Sequence, residues 1–343
     1  MIGVFGAGAL GSVIVGKLTQ KGHVIQALAR EPSVEKINED GLKIIGLENF
    51  RSNPKYTSKV KEISDWKIVL LTVKPNQTEE SAKTMAKYLH PDAIIVSIQN
   101  GVRNKEIISS YCDNEIIQGS AWWSATQITT NEILWYTKTR QFLESDLKME
   151  QSSLIQLLSK VVPTEIPLDF ESLMWSKLII NLLNVPHALT NSPYLYGFKD
   201  PALRTLVLAS INEGIIKCQE NDIEIMPSLI EPFIENLKQS QNEVISWIST
   251  QSINETMIHY VSTHKSILDG KKSDIDYLTG EIVSLGKPDS TPINSFLMDE
   301  AQKMDHLNEK KKRIDYYSPS SLLEKLEEKV GSDYLNDLLN HQL

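Results

Sequence analysis

The chain has 343 residues, 41% of them hydrophobic, and a formal net charge of −9. That length suits about two globular domains rather than a disordered chain, and the negative charge argues against nonspecific binding to nucleic acid or to anionic membranes. Two scattered cysteines, Cys112 and Cys218, exclude a disulfide framework or a zinc site and suit a reduced cytoplasm, while no apolar run reaches membrane-spanning length and no leader-like segment is visible.

The first predicted strand is Ile2, Val4 and Phe5, and it runs directly into Gly6-Ala7-Gly8-Ala9-Leu10-Gly11. This is G-x-G-x-x-G between a strand and a helix that continues over Ser12–Gln20, and each glycine has its own task. Gly6 permits the tight turn, Gly8 lets the backbone approach a pyrophosphate, and Gly11 lets the helix pack close to the strand. The helix start then offers N–H groups and a partial positive charge to phosphate. In this setting the motif predicts dinucleotide binding.

A second strand, His23–Ala29, ends at Arg30, where a fold that takes NAD usually carries Asp or Glu for the ribose 2′-hydroxyl. A guanidinium suits a 2′-phosphate instead, so the expected cofactor is NADP; the alternative for Arg30 is a solvated surface residue. Ile68–Val73 is apolar on both faces, as a central parallel strand should be, and ends in Lys74-Pro75-Asn76-Gln77. Ala93–Ile98 follows and ends in Gln99-Asn100-Gly101-Val102. Ligands bind at the carboxyl ends of such strands, so both endings face the cofactor. Lys74 can serve the 2′-phosphate or the pyrophosphate, and Asn100 offers a donor and an acceptor to substrate or ribose; ordinary turn chemistry is the bland reading of both. Helices are predicted at Thr78–Leu89 and Asn104–Tyr111. The β-formers of Gly119–Trp123 and Ile133–Tyr136 read as the last strands of the sheet. A helix over Asp146–Val161 and a boundary near Pro163–Pro167 complete the first half.

Glu171–Asn184 reads as a helix capped by Asp169 and apolar nearly all round, hence buried. With Lys177 as zero, Asn181 lies about 40° round the helix and Asn184 about −20°. One narrow polar stripe on a buried helix needs partners, either from a polar ligand in a cleft or from a structural network between helices. Facing a nicotinamide, a lysine ammonium could donate a proton to the oxygen of a ketone under reduction, while an amide holds the group in line.

With these residues in hand the sequence resembles the ketopantoate reductases (2-dehydropantoate 2-reductases), over about residues 1–305. The resemblance is carried by Gly6–Gly11, Arg30, Lys74 with Gln77, Gln99-Asn100-Gly101-Val102, and Trp175-x-Lys177-Leu178 followed by Asn181 and Asn184. Further on it includes Ser262, Gly270, Asp274-Ile275-Asp276, Gly280 and Gly286 through Asn294. It implies an α/β Rossmann-type N-terminal domain, residues 1–166, followed by an all-α C-terminal domain, residues 167–305, with a cleft between them. It also implies NADPH-dependent reduction of ketopantoate to pantoate, in pantothenate biosynthesis. At the matching positions Lys177 would be the general acid, and Asn100, Asn181 and Asn184 would position substrate. Ser262 would bind the substrate carboxylate, with Ser266 ranked second, and Arg30 and Lys74 would hold the 2′-phosphate. Asp274 stands where the family usually has a glutamate serving the active site and would take that substrate-site role, a helix-surface charge being its bland reading, and Thr263 and Ser266 stand where the family usually has methionine and aspartate. Trp122–Gln127 also departs from the family's small residues, so a different keto acid is a second expectation. A noncatalytic NADP(H)-binding sensor on the same fold is a third.

Elsewhere, Glu213 on a helix over Pro201–Asn221 reads as a solvated face, and His259 and His264 as structural. Asp299, Glu300 and Asp305 read as an ordinary charged helix. No histidine cluster suggests a metal. The basic run Lys310–Arg313 reads as a charged helix end, and no nucleic-acid or membrane partner is expected. Residues 306–343 form a helical extension: Ser321-x-x-Glu324 reads as a capping box, and Leu322, Leu323, Leu326 and Val330 form an apolar stripe. That stripe packs either on the body of the protein or on a second copy in a homodimer.

Overall fold

The structure is a computed structural model that describes residues 1–137, 139–144, 152–251, 260–287 and 289–340. The chain divides into two compact units, Met1–Phe170 and Glu171–Leu343.

The first unit is an α/β sandwich. Its strands are β1 (Ile2–Phe5), β2 (Ile25–Leu28), β3 (Leu42–Gly46), β4 (Phe50–Ser52), β5 (Lys55–Thr57), β6 (Ile68–Leu71), β7 (Ile94–Ile98), β8 (Ile116–Ala121), β9 (Ser124–Thr129), β10 (Glu132–Thr137), β11 (Gln141–Leu143) and β12 (Thr164–Glu165). Its helices are α1 (Ala9–Gln20), α2 (Glu31–Asp40), α3 (Thr78–Tyr88), α4 (Asn104–Ser109) and α5 (Ser152–Leu158). The main sheet has the order β12-β11-β8-β7-β6-β1-β2-β5 and is parallel from β5 to β8; β11 then runs antiparallel to β8. The strand order turns at β1, between β2 and β6, which is where open α/β sheets leave a crevice at their carboxyl edge. The central strands β6 and β7 are largely apolar on both faces: Leu70 and Val96 pack on one side with α1, while Val69, Leu71 and Ile95 pack on the other with Ala82 and Met85 of α3.

Ile133–Tyr136 departs from expectation. It forms β10, which belongs to a second sheet of order β4-β3-β10-β9. Its local preference for strand was readable, but its partner is β3, paired in parallel from Lys43 to Gly46, a contact across about ninety residues that no local pattern announces. The second sheet explains α1. Val13, Ile14, Val15 and Leu18 are all fully buried because α1 packs between the two sheets, against Val4 and Leu70 on one side and Leu42, Ile44 and Trp135 on the other. Lys17, buried at the end of that helix, is satisfied by Glu48 and by the face of Phe50. The predicted helix at Asp146–Val161 is seen as α5; residues 146–151 lie outside the described residues.

The second unit is helical: α6 (Phe170–Asn181, the first residue still belonging to the first unit), α7 (Asn184–Leu189), α8 (Pro201–Glu220), α9 (Pro227–Lys238), α10 (Gln241–Gln251), α11 (Ser262–Leu268), α12 (Thr279–Leu285), α13 (Pro292–Glu309), α14 (Pro319–Val330) and α15 (Ser332–Leu339). Its core joins Val185 and Leu189 of α7, Leu206 of α8 and Leu297 of α13. Leu322, Leu326, Leu335 and Leu338 of the C-terminal helices complete that same core, so the predicted apolar stripe packs on its own unit.

Glu213 does not lie on a solvated face. It is 1% exposed and accepts from Ile293 N at 2.9 Å, Asn294 N at 2.7 Å and Asn294 Nδ2 at 2.8 Å, which makes it the side-chain cap of α13. Tyr334 Oη also donates to Glu213 Oε1, at 3.2 Å, and burial pushes the Glu213 carboxyl above the ordinary range. Asp305 is likewise buried, receiving Ser273 N and Oγ, and Glu300 binds Tyr317 and Lys303. Helical periodicity placed these carboxylates on helices, but only the return of α13 and α15 onto α8 buries Glu213, and only the approach of Ser273 and Tyr317 to α13 satisfies Asp305 and Glu300.

Candidate active site

In the first unit the predicted residues gather at the carboxyl edge of the main sheet. Gly6–Gly11 links β1 to α1, Arg30 follows β2, Lys74 and Gln77 follow β6, and Asn100 follows β7. Gly6 has φ +93°, and a Cβ there would stand 2.3 Å from Val73 Cγ1, so glycine is required twice over. At Gly11 a Cβ would meet Thr72 Oγ1 at 2.5 Å and Gly6 O at 2.7 Å, the close helix–strand approach the motif predicts. Gly8 differs: a Cβ there meets no atom within 4 Å. Nothing inside the protein asks for glycine at that position, which fits a backbone that must admit a ligand from outside.

Two hydroxyls that the motif reading passed over fix this loop. Thr72 Oγ1 donates to Gly6 O at 2.8 Å, and Ser12 Oγ donates to Ala7 O at 3.2 Å while meeting Tyr56 Oη at 3.0 Å. With their carbonyls occupied, Gly6 and Ala7 hold the loop in one shape, and the N–H groups at the start of α1, from Ala9, Leu10 and Gly11, keep their direction out of the helix end. A hydroxyl ending the apolar run Ile68–Leu71, and another just after the third glycine, were the available signals. Arg30 is exposed beside the N-terminus of α2, and Lys74 opens a 3-10 turn at Pro75–Gln77.

In the second unit Lys177 and Asn181 share one face of α6. Leu178, Ile179 and Leu182 face inward, and a side chain at Gly214 of α8 would collide with Leu182 Cδ1 at 2.6 Å. Lys177, Ile180 and Asn181 are partly exposed and lie along one side of the helix, while the partly exposed Trp175 lies on the opposite side. The stripe does not continue to Asn184 on the same helix as expected. α6 ends at Asn181, the next two residues close with tighter bonds, Leu182 N to Ile179 O and Leu183 N to Ile180 O, and Asn184 opens α7, buried. Pro186 is the cause: it has no N–H for the carbonyl of Leu182, and its ring crowds that carbonyl.

Burial lowers the Lys177 ammonium from 10.5 to about 7. Asn181 Nδ2, one turn on, is buried without a hydrogen-bond partner. An amide left so costs roughly 1–3 kcal/mol, a cost that a ligand carbonyl or carboxylate would remove. Ser262 and Asp274, twelve residues apart, do come together. Ser262 Oγ lies 3.5 Å from Asp274 Oδ2, and the buried Thr263 Oγ1 donates to Oδ1 at 2.9 Å. Asp274 is 1% exposed, so it is not a surface charge. Ser266 Oγ donates back to Ser262 O at 3.0 Å. Trp123 is a core residue, edge-on to Trp135 and bonded to Gln141 Oε1. His264 is buried and donates from Nε2 to Asn191 Oδ1; His259 lies outside the described residues.

A parallel sheet with a glycine phosphate loop, followed by a helical unit that carries a desolvated lysine, defines a nicotinamide-dependent oxidoreductase acting on CH–OH groups. Comparison with known families makes this particular. The family described as "Ketopantoate reductase PanE/ApbA" matches residues 2–144, and its C-terminal domain matches residues 169–305. The chain belongs to this ketopantoate reductase family. The 2-dehydropantoate 2-reductase of Pyrococcus abyssi is 25% identical over 290 residues, spanning 83% of this chain and 90% of that protein. The Aquifex aeolicus 2-dehydropantoate 2-reductase is also 25% identical, over 311 residues, 86% and 93% of the two chains. The fold matches a PanE/ApbA family ketopantoate reductase from Ralstonia eutropha (TM-score 0.75, 22% identity, 90% of this chain and 100% of that one). It equally matches D-mandelate dehydrogenase in complex with NADH and anilino(oxo)acetate (TM-score 0.74, 19% identity, 90% and 100%). Among the described residues no helix is long and apolar enough to cross a membrane.

Proposed function

We propose that this protein uses NADPH to reduce 2-dehydropantoate to pantoate, with Lys177 as the proton donor. The observation that carries the proposal is the pairing on α6 of a lysine lowered to about 7 with a buried, unpartnered Asn181 amide. A donor whose pKa lies near neutrality is suited to proton transfer at physiological pH. The open position beside Gly8 fits the pyrophosphate, the start of α1 supplies N–H groups to it, and Arg30 and Lys74 would hold the 2′-phosphate. Gln77 and Asn100 would complete the cofactor contacts.

When bound, NADPH supplies a hydride to the keto carbon. As charge builds on the keto oxygen, Lys177 Nζ hydrogen-bonds that oxygen and gives up its proton to it, leaving a 2-hydroxy acid and a neutral amine that regains a proton from water. Asn181 Nδ2 donates to the substrate, Asn100 and Asn184 orient it, and Ser262 Oγ donates to its carboxylate. The proposal requires the phosphate loop and the α6 stripe to meet on one ligand. A cytoplasmic homodimer belongs to the same proposal; a similar structure, the ketopantoate reductase of Staphylococcus aureus (TM-score 0.64, 14% identity, 90% of this chain and 99% of that one), is described as dimeric.

A second reading, a reductase of another 2-keto acid, is favoured by one observation. The carboxylate of Asp274 is held down by Thr263, so the site ends in a shorter, fixed acid. A panel of 2-keto acids assayed with NADPH and NADH at the nicotinamide absorbance decides among these, with sedimentation of the same sample reporting the copy number. Fastest turnover of 2-dehydropantoate with NADPH supports the first reading; faster turnover of another keto acid supports the second. No turnover of any would leave a cofactor-binding protein and end both. Equal rates with NADH would remove the role of Arg30.

A further inference from the structure

A buried relay of side chains joins the loop after β6 to the loop after β7. Ser97 Oγ donates to Gln99 Oε1 at 2.8 Å, and Gln99 Nε2 donates to Val73 O at 3.0 Å and to Thr78 Oγ1 at 2.8 Å. Thr78 Oγ1 donates in turn to Asn104 Oδ1 at 3.0 Å. Asn104 Nδ2 then donates to Asn100 O at 2.7 Å and to Gly101 O at 3.0 Å. Gln99 is 4% exposed, Thr78 0% and Asn104 3%, so water does not compete for these bonds.

The relay has one polarity. Its two ends are backbone carbonyls, which only accept. Both hydrogens of the Asn104 amide are therefore committed to Asn100 and Gly101, and both of the Gln99 amide to Val73 and Thr78. The Thr78 hydroxyl accepts from one amide and donates to the other. Turning either amide over would set its oxygen against a carbonyl, so no member can reverse alone. Thr78 and Asn104 are the first residues of α3 and α4, the helices that follow the two loops. Val73 immediately precedes Lys74, and Asn100 enters a turn in which Gly101 has φ +90°.

We propose that Thr78 and Asn104 are positioning residues that lock the Lys74 loop and the Asn100 loop into one fixed relation. They touch neither cofactor nor keto acid; they act through the two residues that would. The inference rests on the site assigned under the proposed function and adds to it the device that aligns its two loops.

Thr78→Val tests it, because it keeps the shape and deletes only the hydroxyl at the centre of the relay. Thr78→Ser keeps the hydroxyl and is the rescue. NADPH affinity is read by fluorescence titration and keto acid reduction by steady-state kinetics, on variants shown by circular dichroism melting to be folded. Losing one buried bond on each side of Thr78 should weaken NADPH binding about fivefold and lower kcat/KM about tenfold, mostly in kcat, while Thr78→Ser stays within about twofold of the parent. The proposal is overturned if Thr78→Val keeps both quantities within twofold, or if Thr78→Ser is as impaired as Thr78→Val. Should Thr78→Val fail to fold, Asn104→Ser is judged on the same two limits. If the parent protein reduces no keto acid, the proposed function fails, and the NADPH titration alone decides the relay.

Discussion

The loop carbonyls of the first unit and the α6 side chains of the second are treated in opposite ways. At the sheet edge of the first unit the loop carbonyls are already bonded: Gly6 by Thr72, Ala7 by Ser12, Asn100 and Gly101 by Asn104. In the second unit Glu213 and Asp305 are likewise satisfied, but a few polar groups are held at a cost. Lys177 is lowered to about 7, Asn181 Nδ2 lacks a partner, and His187 and His264 are both lowered to about 4. A half that only binds gains by being preorganised, since nothing has to be ordered when the ligand arrives. A half that moves a proton needs a group whose charge is poorly tolerated, because that brings its pKa near the working pH. On the proposed function the contrast would separate binding from chemistry along the chain, and it can be broken at several points.

The largest effect should come from Lys177→Ala. Turnover is expected to fall by roughly 10²–10⁴, the range for a lost general acid, while NADPH binding stays unchanged. The same lysine sets the pH profile. Reduction needs its protonated form, so kcat/KM should decline as pH rises through about 7. A bound anionic substrate moves the corresponding limb of kcat upward. A rate that is flat to high pH would show that another group supplies the proton.

A smaller effect separates two glycines only two residues apart. Gly8→Val adds a side chain where the protein offers no atom within 4 Å, so the melting temperature should hold while NADPH affinity falls tenfold or more, about 1.4 kcal/mol or above. Gly6→Val puts a β-branched residue at φ +93° against Val73, and should lower the melting temperature before any question of binding arises. Equal losses of stability in the two variants would mean that the cradle is not open at Gly8.

The smallest effect near neutrality lies in acid stability. His187 donates from Nδ1 to Leu183 O at 2.8 Å, its Nε2 has no partner, and both histidines are held neutral by burial. Their folded pKa values of about 4 lie below the ordinary 6.5, so the unfolded chain binds protons that the folded one refuses. Stability is therefore full above pH 6.5 and is lost as pH falls toward 4, by up to ~3 kcal/mol for each imidazole. Denaturant midpoints between pH 7 and 4.5 would show it, and His187→Gln should flatten the acid arm. An unchanged slope would place the acid sensitivity elsewhere.

Much of this was legible in the residues themselves. Gly6–Gly11 announced its turn because only glycine tolerates the dihedral angle of Gly6 and the close approaches at Gly6 and Gly11, and the Ile68–Leu71 strand announced its burial by being apolar on both faces. The α6 stripe was visible as a lysine and an amide one turn apart on a mostly apolar helix. Pro186, which ends that stripe before Asn184, was also in plain sight, and its effect follows from a missing N–H. Ser262 and Asp274 could be named as candidates, but their meeting could not be read, since the eleven residues between them carry no distance.

What the sequence determined by itself is therefore local: which segments are strands or helices, where the phosphate loop lies, and which lysine is out of place. What only the tertiary structure decided is pairing and burial. β10 joins β3 rather than the main sheet, Glu213 caps a helix eighty residues away, the C-terminal leucines close the core of their own unit, and a threonine and two amides knit the β6 and β7 loops together. Local structure follows from backbone preferences that each residue carries with it. A pKa, a cap or an orphaned amide depends on which distant atoms exclude water from that point, and those neighbours exist only once the chain has folded.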